Sequence, residues 1–125
     1  MTKSYIEITA DINRGVGKIR AGAPDAMAGF SALAKSAMKP GVLPSQLKEL
    51  IALAIGVAGH CDGCIGFHAR ALARAATPRE QIIEALAVAV YMGGGPSLMY
   101  AADAMNAFDE FQDSMARQES TASVA

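Results

Sequence analysis

The chain has no tryptophan, only three tyrosines and four phenylalanines, and two cysteines in 125 residues. Its apolar content therefore comes in small pieces, above all 26 alanines, and small pieces suit closely packed helices. A core built from alanine contributes little area per residue, which leaves apolar surface for partner subunits and points to an oligomer. Charge of neither sign dominates: eleven Lys and Arg against twelve Asp and Glu leave a net charge of −1. No basic block is present to neutralise phosphates, which argues against a nucleic-acid partner. Met1 to Gly15 lacks the apolar core of a signal peptide, and the longest uncharged apolar stretch, Leu50 to Gly59, is too short to cross a bilayer. The sequence reads as a soluble, cytoplasmic protein with no membrane partner. In a reducing compartment, two cysteines two residues apart suggest redox or metal chemistry rather than a permanent structural bridge.

Strand-like alternation is also missing, and the periodicity is helical. Tyr5, Ile8, Ile12, Val16 and Ile19 recur at spacings of three and four, predicting a first helix. A second starts at Pro24, carries Met27, Phe30, Leu33 and Ala34 on one side, and is broken by Lys39-Pro40-Gly41. Pro44 opens a third, whose segment Leu47 to Ala58 is apolar on nearly every side, the pattern of a helix buried by neighbours or by other subunits. After the Gly59-His60 interruption a fourth begins at or near Cys61 and continues through Ala76, with Arg70 and Arg74 on its solvent side.

Thr77-Pro78-Arg79-Glu80 predicts the start of a fifth helix, with Thr77 as cap, Pro78 in the first turn and Glu80 completing a capping box. Its apolar positions are Ile83, Leu86, Ala87 and Val90. Gly93-Gly94-Gly95 lacks the Lys-Ser/Thr ending of a phosphate loop and predicts a tight bend, after which Leu98, Ala101, Met105 and Phe108 stripe a sixth helix. The expectation is one all-α domain of about six helices over residues 1–115, with a disordered tail over 116–125.

Cys61-Asp62-Gly63-Cys64 places two thiols three residues apart at a helix start, on one face. Unpaired backbone N–H groups and the positive end of the helix dipole lower a thiol pKa from its free value of roughly 8.5 toward neutrality. The Asp62 carboxylate works the other way. His68 lies one turn beyond Cys64 on the same face, within reach as an acid–base partner. If the helices flanking Gly59-His60 fold back antiparallel, Glu49 and His68 fall within a few ångströms of opposite positions at about 1.5 Å per residue. A carboxylate facing an imidazole fixes its tautomer and lets it take a proton from a thiol, directly or through one water. The same four residues suit zinc in type, although three ligands along one helix face fit a closed tetrahedral site poorly. Haem attachment is excluded, because Ile65 follows the second cysteine where histidine is required. His60 reads as a solvated turn residue.

Glu49, then Cys61-x-x-Cys64, then His68, followed by the Thr77-Pro78 helix start and Gly94-Gly95-Pro96-x-x-Met99-Tyr100-Ala101, resemble the alkyl hydroperoxidase D-like (AhpD-like) branch of the carboxymuconolactone decarboxylase family. The resemblance covers about Leu43 to Phe111. It implies an AhpD-like helical bundle assembling into homotrimers or homohexamers, with thiol-dependent reduction of hydroperoxides or disulfides and no cofactor. It further implies Cys64 as the peroxidatic cysteine, Cys61 as proton donor and resolving thiol, Glu49 and His68 as the activating relay, and a dithiol reductant such as a lipoylated protein. In the best-studied form of the motif a histidine precedes the second cysteine; here that position is Gly63, which leaves the relay one arm short. The competing readings are a carboxymuconolactone decarboxylase-like lyase, which does not depend on a cysteine pair, and a non-catalytic zinc-binding or assembly module.

Overall fold

The computed structural model describes residues 2–124 and contains six helices, with no strand among the described residues. They are α1 (Tyr5–Gly22), α2 (Pro24–Met38), α3 (Ser45–Ala58), α4 (Asp62–Arg74), α5 (Arg79–Gly93) and α6 (Gly95–Val124). The all-α expectation holds, and the boundaries fall where the breakers stand. Pro24 occupies the first turn of α2. Gly94 alone separates α5 from α6, with φ 76° and ψ −157°, a conformation essentially restricted to glycine.

The core lies between α3, α4, α5 and α6 and is closed at one end by the first turn of α1. Leu53, Val57, Ile65, Leu72, Ile82 and Phe108 are fully buried. The small residues Ala69, Ala104 and Ala107 lie among them in the same cluster, where their size lets helix backbones approach closely. Glu110 of α6 anchors α1: its carboxylate accepts from the Tyr5 backbone N–H and the Ser4 hydroxyl, both at 2.6 Å. Farther along, α1 leaves the core. The α2 helix contributes no buried residue at all, and Phe30 and Leu33 of its apolar stripe are 66% and 64% exposed.

Two expectations need correction. The fifth helix begins at Arg79 with Pro78 as N-cap, and no side chain caps it. Thr77 is instead buried, its hydroxyl accepting from the Gln46 amide at 3.0 Å, so it ties the start of α5 to α3. The residues of α5 facing the core are Ile82, Leu86 and Ala89, whereas Ile83 is 46% exposed. The helical spacing of Ile83, Leu86, Ala87 and Val90 holds, and these residues line an open apolar groove together with Leu98 and Met105 of α6. Finally, the expected disordered tail continues α6 as helix to Val124. Ala116, Arg117, Gln118 and Glu119 are strong helix formers, and the Thr121 hydroxyl donates back to the Arg117 carbonyl at 3.0 Å. Ala125 lies outside the described residues.

Candidate active site

The turn between α3 and α4 builds the site. Backbone N–H groups of Gly59, His60 and Cys61 donate to the carbonyls of Ile55, Val57 and Gly56, which folds the chain back without a longer loop. His60 takes a left-handed φ of 55° to do so. The two helices then run antiparallel and close together. A Cβ added at Gly56 would stand 2.9 Å from the Cys64 Cβ, so only glycine permits this approach. We expect Gly56→Ala to cost about 1–3 kcal/mol, read as a lowered midpoint in urea unfolding, because the cysteine-bearing turn must move aside.

Cys61 and Cys64 form a disulfide, with Cα atoms 5.3 Å apart. Cys61 is the N-cap of α4, and its Sγ accepts from the Cys64 backbone N–H at 3.1 Å. The pair therefore sits at the N-terminal end of a helix dipole, where negative charge on sulfur is favoured.

Glu49 and His68 meet as the antiparallel register requires. His68 Nδ1 lies 2.6 Å from Glu49 Oε2, and both side chains are largely shielded, at 29% and 18% exposure. An ionised carboxylate can only accept, so it holds the ring hydrogen on Nδ1 and leaves Nε2 as the nitrogen available to a thiol. Along α4, His68 follows Cys64 by one turn. Among the described residues, no group of three or more His, Cys, Asp or Glu is arranged to hold a metal ion.

Sequence reasoning missed a second set of groups around Asp62. Asp62 Oδ1 accepts from the Tyr5 hydroxyl at 2.7 Å and from Lys3 Nζ at 3.1 Å. Lys3 also donates to Asp103 Oδ2 at 2.8 Å and lies 5.1 Å from the centroid of the Tyr100 ring. His60 also stacks on that ring, at 4.7 Å with the planes 5° apart, so the turn histidine is exposed but not free. Burial raises the Asp62 carboxyl, but the Tyr5 and Lys3 hydrogen bonds outweigh it and hold the group below its ordinary value. The Tyr5 phenol is pushed far up by burial and by its bond to Asp62. No spacing signal could have found these contacts, because Lys3 and Asp62 are 59 residues apart.

Gly63, the departure from the resembled motif, faces α1. A Cβ there would come within 2.8 Å of the Ile12 Cδ1, so a histidine side chain at this position has to displace Ile12.

The model of the carboxymuconolactone decarboxylase family matches residues 24–107. The chain belongs to that family. A crystal structure of a carboxymuconolactone decarboxylase family protein from Legionella pneumophila, in its apo form, superposes with a TM-score of 0.85 at 52% identity, covering 86% of this chain and 96% of that one. Another family protein, from Thermotoga maritima, shares the fold at a TM-score of 0.78 with 23% identity, over 89% of this chain and 95% of its own. An uncharacterized protein of Cupriavidus necator is 43% identical over 109 residues, 87% of this chain and 96% of the relative. The match thus takes in α2 to α5 and the first part of α6, and includes every residue of the Glu49, Cys61, Cys64 and His68 constellation.

Proposed function

We propose that this carboxymuconolactone decarboxylase family chain is a thiol oxidoreductase that reduces alkyl hydroperoxides, or disulfides, by cycling Cys61 and Cys64 between dithiol and disulfide. The observation carrying this reading is the 2.6 Å Glu49–His68 contact one helical turn from a cysteine pair at the α4 N-terminus. In the reduced protein, His68 Nε2 takes the Cys64 proton, directly or through one water, while Glu49 holds the ring in place. The Cys64 thiolate attacks the terminal peroxide oxygen, the O–O bond breaks, and the alkoxide leaves as alcohol with the proton from His68. Cys64 is then a sulfenic acid. Cys61 attacks its sulfur, the S–O bond breaks, and hydroxide takes up the Cys61 proton to leave as water, which closes the disulfide. An external dithiol, such as a lipoylated protein, reduces the bridge by thiol–disulfide exchange and is itself oxidised.

We place this activity in the cytoplasm and in a homotrimer or homohexamer. The uncovered stripe of α2 and the exposed Ile51 and Ile55 of α3 are the kind of apolar surface that subunit contacts remove from water. No helix among the described residues is long and apolar enough to cross a membrane.

Consumption of an alkyl hydroperoxide with dihydrolipoamide as reductant tests the reading. Catalytic turnover that disappears in the Cys61→Ser/Cys64→Ser double variant is expected. Absence of peroxide turnover, together with lactone decarboxylation that survives loss of both cysteines, would move the chain to the lyase reading instead.

A further inference from the structure

We infer that Lys3 and Tyr5 are positioning residues of the dithiol, holding the Asp62 carboxylate and offsetting its charge so that the α4 N-terminus can stabilise a thiolate. The inference rests on the redox reading of Cys61 and Cys64, but its test does not require peroxide chemistry.

The problem it solves is electrostatic. Asp62 stands between the two cysteines in sequence and on the first turn of α4, where a bare carboxylate opposes the formation of a second negative charge nearby. The charged and titratable groups facing this end of the bundle come from every surrounding element. Glu49 is on α3, His60 is in the turn, His68 is on α4, Asp103 and Tyr100 are on α6, and Lys3 and Tyr5 enter from the chain N-terminus. Of these, the Lys3 ammonium and the Tyr5 hydroxyl hydrogen-bond Asp62, and both use Oδ1.

Neither donor is loosely placed. The Tyr5 ring is fully buried and its backbone N–H is held by Glu110, which aims the hydroxyl. Lys3 is fixed between Asp62 of α4 and Asp103 of α6 and lies over the Tyr100 ring. Its ammonium is held above its ordinary range, first by the Asp103 hydrogen bond, so it stays charged while the thiols titrate. One cation is shared between two carboxylates, so removing Lys3 leaves two uncompensated negative charges, whereas removing the Asp62 charge leaves an ion pair with Asp103.

The two removals therefore act in opposite directions on the same thiols. The experiment is the pH dependence of alkylation by iodoacetamide of the freshly reduced full chain, for wild type, Lys3→Met, Lys3→Arg, Asp62→Asn and Lys3→Met/Asp62→Asn. Lys3→Met is expected to shift the profile to higher pH and slow alkylation at neutral pH by about threefold, the size set by a partly exposed ion pair. Asp62→Asn shifts it to lower pH, Lys3→Arg keeps the wild-type profile, and Lys3→Met has a smaller effect once Asp62 is asparagine. High salt shrinks the Lys3→Met difference. Superimposable profiles for wild type, Lys3→Met and Asp62→Asn overturn the inference. Shifts of the same sign in Lys3→Met and Asp62→Asn, the mark of a merely structural role, overturn it as well. If the Lys3 and Asp62 effects oppose each other while hydroperoxide is not consumed, the inference stands and the peroxidase reading fails.

Discussion

Replacing Cys64 with serine is expected to abolish hydroperoxide reduction, lowering the rate by about three orders of magnitude or more, the scale on which loss of a catalytic nucleophile is felt. Serine keeps the size of the side chain and its place one turn before His68, so the fold and the Glu49–His68 contact survive. What it removes is the sulfur that, on the proposed reading, accepts the peroxide oxygen. Cys61→Ser has a different signature. Its Cys64 still attacks peroxide once, but no neighbouring thiol can displace the hydroxyl, so the protein stops as a sulfenic acid and multiple turnover is lost. A rapid single turnover followed by arrest, with the sulfenic acid captured by dimedone, separates the two roles. Equal residual activity in both variants would count against the division of labour between them.

The second large effect belongs to the relay. Glu49→Gln or His68→Ala is expected to lower the peroxide rate at neutral pH by about a hundredfold to a thousandfold, the usual worth of a positioned acid–base group. The two residues act as one unit through a 2.6 Å contact, so the double variant should be little worse than either single one. Glu49→Gln is the more informative change, because glutamine keeps the volume in a largely shielded position while removing the charge that holds the ring hydrogen on Nδ1. Stopped-flow peroxide kinetics on the reduced variants measure this. Multiplicative losses in the double variant would mean that the two residues act separately.

Much of this site was legible before any coordinates, because it is local and periodic. The fall of Cys61, Cys64 and His68 along one helix face is a matter of spacing alone. The Glu49 contact needed only the assumption that a two-residue turn reverses the chain, and the backbone bonds of Gly59, His60 and Cys61 make that reversal. What could not be read is whatever joins distant segments. Lys3 and Tyr5 reach Asp62 from the start of the chain, Asp103 joins them through Lys3, and the fit of Ile12 against Gly63 depends on how α1 crosses α4.

Which face of α5 the core takes was not readable, for a different reason. Ile82, Leu86 and Ala89 form one helical stripe, Ile83, Ala87 and Val90 another, and periodicity alone cannot say which stripe a monomer buries. The exposed stripe and the uncovered α2 are the positions at which reading by pattern assumes a partner that a single chain does not supply. In the same way, Thr77 has the chemistry of a cap, but a buried hydroxyl takes the nearest good donor, here the Gln46 amide. The C-terminal segment lacks apolar residues to pack, which favours disorder by composition, yet its alanines, Gln and Glu sustain the helix begun at Gly95.

The most direct test is the intact mass and peptide map of the fully reduced protein after one equivalent of an alkyl hydroperoxide. We expect the mass to fall by two hydrogens per chain, one equivalent of alcohol to appear, and the one peptide that carries both Cys61 and Cys64 to be two hydrogens lighter and closed to alkylation. An unchanged mass with both thiols still titratable, or oxygen added to Cys64 with Cys61 left free, would contradict the account.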